Sequence, residues 1–135
     1  MALNAGELIS EVLDIVENDG KIALLDASAA CHMPDVIEMP YTPPLANAGK
    51  PGEKGFDYTL AGATCLAGDV IGKYSFNEPL KIGDRVKFQD MAIYSFVKNN
   101  TFNGMPLPAL AVKDKSGNCK IIKTFGYEDF KSRLG

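Results

Sequence analysis

Thirteen glycines and eight prolines are distributed along the whole of this 135-residue sequence. Glycine costs conformational entropy inside a helix, and proline lacks the N–H that a helix interior needs, so every regular element must be short. Short elements between frequent turns are typical of β structure. Four strand-like runs adjoin turn-forming residues: KIALLDA (21–27), FDYTL (56–60), RVKF (85–88) and CKIIKTF (119–125). The sequence therefore predicts an all-β fold with at most short helices.

The segment 6–18 is ambiguous between helix and strand. Its apolar residues follow the helical spacing i, i+3, i+4 and i+7: Ile9, Val12, Leu13 and Val16. The same segment contains several β-branched residues, which suit a strand equally well. Periodicity alone therefore does not decide between the two structures.

Three other segments are predicted from their turn residues. Residues 39–55 contain four prolines and several glycines, so they form a long irregular loop or a mobile crossing. Residues 81–86 are interpreted as a strand, a corner at Gly83 and a second strand, which is a common way to turn in small barrels. The last residues, 128–135, are expected to form one short helical turn.

Composition limits the class of protein. The length suits one domain with one core, and the apolar and charged fractions, 46% and 23%, are those of an ordinary globular protein. A net charge of −3 disfavours binding to nucleic acid through a broad basic face. The sequence has no long apolar stretch and no signal peptide, which indicates a cytoplasmic protein that does not bind membranes. Three widely spaced cysteines indicate free thiols.

A metal site is not predicted from the cysteines and the single histidine. Cys31, His32, Cys65 and Cys119 contain no C-x2-C pair, and the adjacent Cys31 and His32 would point to opposite faces of an extended chain. We interpret His32 as a partly buried polar residue. Cys119 is expected to be a small packing residue within a strand.

Cys65 has a more suggestive context than the other cysteines. It lies in AGATCLAGD (61–69), where two glycines allow the backbone to approach another group closely. A thiol held near a carboxylate in such a loop could deliver a proton to carbon. On residue chemistry alone, a glycine-rich turn around a buried structural cysteine is the better explanation of the same residues. Tyr94 similarly could offer its hydroxyl to a phosphate or belong to an aromatic core.

Four stretches, in this order, resemble the C-terminal β domain of the carboxynorspermidine decarboxylase family. They are LDASAACHMPDVIEMPY (25–41), GATCLAGDVIGKYSF (62–76), KIGDRVKFQDMAIYS (81–95) and TFNG (101–104). This family belongs to the fold-type III decarboxylases, which use pyridoxal 5'-phosphate. One departure is Ala63, where the family usually has proline. The resemblance implies that residues 1–135 form a single small Greek-key-like β-barrel or sandwich domain, with segment 7–17 a strand.

The resemblance also implies a role for individual residues. Cys65 would be catalytic and would return a proton to the reacting carbon across a subunit boundary. Glu38 and Asp69 would bind the cationic substrate, and Tyr94 would bind the phosphate of the cofactor. Related decarboxylases of ornithine and diaminopimelate carry an acid directly after the cysteine. Leu66 stands there in this chain, which favours the carboxynorspermidine branch.

The resemblance covers only the last third or so of such an enzyme. The lysine that binds pyridoxal phosphate belongs to an N-terminal (β/α)8 barrel that this chain lacks, so the chain alone is expected to be inactive. Its expected partners are that barrel, a second subunit in a homodimer and a cationic polyamine substrate. An isolated domain of this kind is expected to expose an apolar patch. The rival hypothesis is a stand-alone small β-barrel that binds a ligand or protein without catalysis.

Overall fold

The computed structural model describes residues 5–134, so residues 1–4 and 135 of the predicted domain lie outside the described part. The strands are β1 (Glu7–Glu17), β2 (Lys21–Leu25), β3 (Phe56–Ala61), β4 (Val70–Phe76), β5 (Arg85–Gln89), β6 (Leu110–Lys113) and β7 (Cys119–Lys123). The short helices are α1 (Ala29–His32), α2 (Asp35–Glu38), α3 (Tyr94–Val97) and α4 (Tyr127–Lys131), with a 3₁₀ turn at Phe102–Gly104. The prediction of an all-β fold with short helices is confirmed.

Five strands form one curled sheet with the spatial order β4-β3-β2-β1-β5. The β2–β3 pair is parallel, and the other three pairs are antiparallel. The β1–β2 hairpin turns at Asp19 and Gly20, which both have positive φ, as tight hairpins require. The strands β6 and β7 form a separate two-stranded sheet.

The first segment is a strand, as the family resemblance implies and against its helical spacing. The strand β1 lies inside the sheet and pairs with β2 on one side and β5 on the other. Its side chains alternate across the sheet near its centre, so Ser10 and Val12 are buried whereas Ile9 and Leu13 are exposed. Backbone pairing on both sides therefore outweighs the apolar period of 3.6 residues.

The loop at residues 39–55 connects the two edges of the curled sheet. Leu45 forms an isolated bridge with Phe88 of β5, and Gly49 forms another with Ser75 of β4. Its hydrogen bonds include those from Gly49 N to the carbonyl of Ser75 and back, at 2.9 and 3.0 Å. The loop therefore covers the outer edges of β4 and β5 and bridges the gap between them. It forms no helix or strand of its own.

The core lies inside the curl of the five-stranded sheet. Its fully buried large side chains include Val12, Leu25, Leu60 and Phe88. These come from four different strands and pack in one cluster, which holds the sheet in its curved form. The described chain contains no helix long and apolar enough to cross a bilayer.

Two expectations about local structure are wrong. The first strand predicted in 81–86 is absent: Lys81 and Ile82 belong to the turn at Gly83, where φ is +89° and the backbone N–H of Lys81 donates to the carboxylate of Asp84 at 2.8 Å, whereas the corner and the second strand are present. Cys119 is exposed and not packed, because every residue of β7 is exposed in this chain. The β6–β7 hairpin presents apolar side chains to the surface, among them Val112, Ile121 and Ile122.

Candidate functional site

Cys65 lies at the tip of the loop that joins β3 to β4, residues 62–69. One backbone hydrogen bond joins the ends of this loop, and another closes a turn within it. The N–H of Gly62 donates to the carbonyl of Asp69 at 2.8 Å, and the N–H of Asp69 donates to the carbonyl of Leu66 at 2.9 Å. The loop is therefore a compact turn that extends the β3–β4 hairpin, and it carries the Cys65 thiol away from the core.

The carboxylate of Asp69 holds this loop to helix α1. Asp69 is only 4% exposed, and five donors surround its carboxylate oxygens. From the α1 side, the Ser28 hydroxyl and the backbone N–H groups of Ala29 and Ala30 donate to it, at 2.9, 2.7 and 3.3 Å respectively. From its own loop, Thr64 donates through its hydroxyl at 2.6 Å and its N–H at 3.2 Å. A buried carboxylate satisfied in this way fixes both segments.

Gly62 is required for this arrangement because it leaves room for the carboxylate. A Cβ atom at position 62 would lie 2.6 Å from Cγ of Asp69, which is closer than real Cβ contacts. In contrast, a Cβ atom at Gly68 would meet no atom within 4 Å. The two glycines that the sequence offers near Cys65 therefore differ in function, and only Gly62 allows a close approach.

The thiol of Cys65 is exposed and donates a hydrogen bond to the side chain of Asn103. The Sγ–Oδ1 distance is 3.3 Å. Asn103 belongs to the TFNG motif and has a left-handed backbone with φ of +62°. The structure therefore brings together two motifs that lie 38 residues apart in the sequence.

Helix α1 also supports the segment that carries Asn103. The thiol of Cys31 is buried and donates to the carbonyl of Phe102 at 3.3 Å, and its burial raises its pKa. Asn100 donates from its backbone to the carbonyl of Cys31 at 3.0 Å and from its amide to that of Ala30 at 2.8 Å. Both sides of the Cys65 site therefore rest on the same four-residue helix.

His32, at the end of α1, links this helix to a later part of the chain. The backbone N–H of Ser28 donates to Nδ1 at 3.1 Å, so Nδ1 is unprotonated and Nε2 donates to the carbonyl of Pro106 at 3.0 Å. Burial lowers the pKa of His32, which keeps the ring neutral. His32 was expected to be partly buried, but it is almost fully buried, and both of its ring nitrogens form hydrogen bonds.

Glu38 and Tyr94 meet through a third residue, Lys98. The ammonium of Lys98 forms an ion pair with the carboxylate of Glu38 and lies 5.5 Å from the centre of the Tyr94 ring. The hydrogen bond that Lys98 donates to the Glu38 carboxylate raises the pKa of Lys98. Tyr94 is 61% exposed, and its hydroxyl makes no hydrogen bond to the rest of the described chain, residues 5–134.

Tyr41 holds the Glu38 helix, α2, in place from the side. Its hydroxyl donates to the carboxylate of Asp35, the first residue of α2, at 2.9 Å. Burial, together with the adjacent carboxylate, raises the pKa of Tyr41 to about 12, so the hydroxyl remains a donor at neutral pH. The helix that carries Glu38 is therefore held in place, although the Glu38 side chain is exposed.

The four predicted site residues thus form two pairs. Cys65 and Asp69 belong to one loop, and Glu38 and Tyr94 both contact the ammonium group of Lys98. Sequence reasoning missed Lys98 and did not connect Asn103 to Cys65. The available signals were the cation at 98, four residues after Tyr94, and the asparagine-glycine pair at 103–104. Within residues 5–134, no three His, Cys, Asp or Glu side chains are grouped as metal ligands.

Comparison with known proteins adds a family and several relatives. A family model described as pyridoxal-dependent decarboxylase, C-terminal sheet domain, matches residues 4–92. A carboxyaminopropylagmatine decarboxylase of Synechocystis is 45% identical over 100% of this chain and 35% of its own length. A carboxynorspermidine/carboxyspermidine decarboxylase of Campylobacter jejuni is 45% identical over 95% of this chain and 36% of its own length. The chain therefore spans about a third of the curated relatives that it matches.

Solved structures support the same assignment of the fold. Carboxynorspermidine decarboxylase from Campylobacter jejuni, complexed with norspermidine, aligns with a TM-score of 0.93 and 43% identity. The alignment covers 98% of this chain and 39% of that protein. Diaminopimelate decarboxylase from M. jannaschii aligns with a TM-score of 0.76 at 20% identity, covering 97% of this chain and 30% of that protein. This second likeness concerns the fold alone.

Substitution of the two loop glycines should separate close approach from general flexibility. We expect Gly62→Ala to destabilise the chain by about 1–3 kcal/mol, because its methyl group displaces the Asp69 carboxylate from its donors. The matched control, Gly68→Ala, should be neutral or slightly stabilising, because its methyl group meets nothing. Urea unfolding measures both. Equal effects of the two variants would contradict this role of Gly62.

Proposed function

The chain belongs to the C-terminal sheet domain family of pyridoxal-dependent decarboxylases, and we propose that it completes an enzyme that decarboxylates a carboxylated polyamine. The proposed substrate is carboxynorspermidine or carboxyspermidine. The observation that carries the proposal is the position of the Cys65 thiol, exposed on a loop that a buried carboxylate holds in place. The 45% sequence identity to the carboxynorspermidine/carboxyspermidine decarboxylase of Campylobacter jejuni supports the choice of substrate class.

Cys65 acts as the proton donor in this proposal. Its sulfur is exposed, so a reacting carbon held by another part of the enzyme can reach the thiol. Proton transfer breaks the S–H bond and forms a C–H bond on the carbon that has lost carbon dioxide, and the S–H electron pair stays on sulfur. A thiol placed in this way acts as a general acid. The loop fixed by Asp69 limits the positions that the sulfur samples, which favours one reaction geometry.

Pyridoxal 5'-phosphate, when bound, supplies an acceptor for the electrons that carbon dioxide leaves behind. The residues present fit the phosphate of this cofactor. The hydroxyl of Tyr94 is exposed and free to donate, and the ammonium of Lys98 lies beside its ring. A hydroxyl donor and a lysine cation suit a phosphate group. The lysine that binds the aldehyde of the cofactor is expected in the N-terminal part that the relatives carry.

Glu38 is proposed to bind the distal cation of the substrate. Its carboxylate is exposed and is already paired with an ammonium group, that of Lys98, so its site accepts the same chemistry as a polyamine. The side chain after the catalytic thiol, Leu66, is 41% exposed and offers only an apolar contact. Of these two side chains, only Glu38 can recognise a charge on the polyamine.

Asp69 is proposed to position the Cys65 loop and not to bind substrate. The family resemblance gave it a role in binding, but its carboxylate is buried and surrounded by five donors from its own chain. A substrate amine would have to displace these donors and reach a site that is closed to solvent. The loop contacts explain the residue without such a displacement.

The partners proposed for this domain are the N-terminal barrel of the same enzyme and a second subunit. The exposed apolar residues of the β6–β7 hairpin support a partner surface on this side, because a monomeric protein rarely leaves such a group uncovered. Cys65 and the group formed by Glu38, Tyr94 and Lys98 are also exposed. They are therefore open to contact with a cofactor bound mainly by another part of the enzyme.

A chimeric enzyme tests the role of Cys65 directly. The chain would replace the corresponding C-terminal part of the Campylobacter jejuni carboxynorspermidine decarboxylase, with carbon dioxide release as the assay. We expect an active chimera, and we expect Cys65→Ala to lower kcat by about 100-fold or more, because general acids contribute on that order. Cys119→Ala is the matched control, since its thiol is also exposed but lies on β7.

Two results of this assay would contradict the proposal. A Cys65→Ala chimera with the kcat of the parent chimera would remove the proton-donor role. A folded chimera that binds pyridoxal phosphate but releases no carbon dioxide would favour the rival, a binding module without catalysis.

The same chimera tests the assignment of Glu38. We expect Glu38→Gln to raise KM for carboxynorspermidine about tenfold with little change in kcat, because a charge-assisted contact to the distal amine is lost. Glu128→Gln is the control, because Glu128 is also an exposed acid and pairs only weakly with Lys131 on α4, at 3.9 Å. An unchanged KM for Glu38→Gln would mean that another acid binds the distal amine.

A further inference from the structure

We propose that Asn103 positions the thiol of Cys65 and serves both of its protonation states. The inference rests on the proposed proton-donor role of Cys65. It adds a residue that neither the sequence motifs nor the family assignment connected to that thiol. Asn103 acts through Cys65 and is therefore a positioning residue.

The first support is the contact itself. The Cys65 thiol donates to Oδ1 of Asn103 at 3.3 Å, within the range for a hydrogen bond from sulfur. Both residues are exposed, so the contact lies at the surface that a reacting carbon would approach. Asn103 also lines an open cleft of about 400 Å³, together with Phe102 and Arg133. Asn103 therefore contacts the thiol and also lines a space large enough for part of a ligand.

The second support is the backbone that carries the amide. Asn103 has φ of +62° and ψ of +16°, a left-handed conformation that asparagine and glycine adopt more easily than other residues. Its neighbours are fixed, because the carbonyl of Phe102 accepts from Cys31 and the N–H of Gly104 donates to Thr101 at 3.0 Å. The side chain of Asn103 is thus aimed from a rigid turn.

The third support is the chemistry of a primary amide. Before proton transfer, the thiol is a donor and needs an acceptor, which Oδ1 provides. After transfer, sulfur is a thiolate and needs a donor. Rotation of the amide by half a turn about χ2 brings Nδ2 to the same place. A carboxylate would accept from the thiol but repel the thiolate, whereas an amide suits both states, and its hydrogen bond to the charged thiolate is the stronger of the two.

The experiment measures the reactivity of the thiol and does not depend on decarboxylation. The 135-residue chain and its variants Asn103→Gly and Asn103→Asp would be alkylated with iodoacetamide over a range of pH, and modification of each cysteine would be followed by peptide mass spectrometry. Only the thiolate reacts, so each profile gives the pH at which that cysteine ionises. The exposed Cys119 is the internal control. Circular dichroism checks that the variants fold.

Asn103→Gly removes the amide but keeps the left-handed backbone without strain, and Asn103→Asp replaces the amide donor with a charge. We expect the midpoint of the Cys65 profile to rise by about half a pH unit in the glycine variant. We expect a rise of about one unit or more in the aspartate variant, with alkylation near neutral pH about tenfold slower. The Cys119 profile should not move in either variant.

A Cys65 profile in folded Asn103→Gly that coincides with the wild-type profile overturns the proposal, whatever the aspartate variant does, because a merely structural amide would change stability alone. This result would leave the chimera assay of Cys65 untouched. Conversely, an inactive chimera would leave the alkylation profiles as they are, so failure of either proposal is recognised separately.

Discussion

The buried carboxylate of Asp69 is the interaction on which the candidate site depends. A carboxylate removed from water is costly unless hydrogen bonds replace its hydration. Here the replacement comes from two sources, the start of helix α1 and the Cys65 loop itself, so satisfying the charge requires the two segments to meet. Gly62 leaves the space for that meeting. The position of the thiol is thus a consequence of satisfying one buried charge.

Helix α1 transmits this constraint to the rest of the site. It is only four residues long, but its carbonyl groups accept hydrogen bonds from Asn100, and the Cys31 thiol donates to the carbonyl of Phe102. The ring of His32 forms a further hydrogen bond with the carbonyl of Pro106. These contacts bring the TFNG turn beside the Cys65 loop. The curled sheet supplies the rigid support, and the loop at residues 39–55 joins its two edges. The candidate site is therefore built from loops on a rigid frame, an arrangement that is common in enzymes.

The sequence predicts the frame better than the contacts. Alternation in 56–60 and the Asp19-Gly20 turn identify strands and a hairpin from local chemistry alone, and the family resemblance resolves segment 7–17 as a strand. The strand predicted before the corner at Gly83 was wrong, because Lys81 and Ile82 belong to the turn itself. Cys119 was expected to pack because its letters suit a strand, but which face of a hairpin is covered depends on parts of the protein beyond that hairpin.

The site residues show a similar division. Cys65 and its glycines could be recognised from one short run, and Glu38, Asp69 and Tyr94 came from the family resemblance. The link between Glu38 and Lys98 spans 60 residues, and that between Cys65 and Asn103 spans 38, so neither follows from local spacing. The burial of Asp69 likewise depends on Ser28, 41 residues away. Such pairs depend on the tertiary fold, so they cannot be predicted from the spacing of residues in one sequence.

Hydrogen exchange in an Asp69→Asn variant tests the central claim most directly. The asparagine would turn an N–H group toward donors, so the amides that the carboxylate accepts should open more easily. We predict that the Ala29 and Thr64 amides, at 2.7 and 3.2 Å from that carboxylate, exchange about tenfold faster or more, while the Ala23 amide in β2 keeps its rate. Unchanged exchange at Ala29 and Thr64, or equal acceleration at all three amides, would contradict the account.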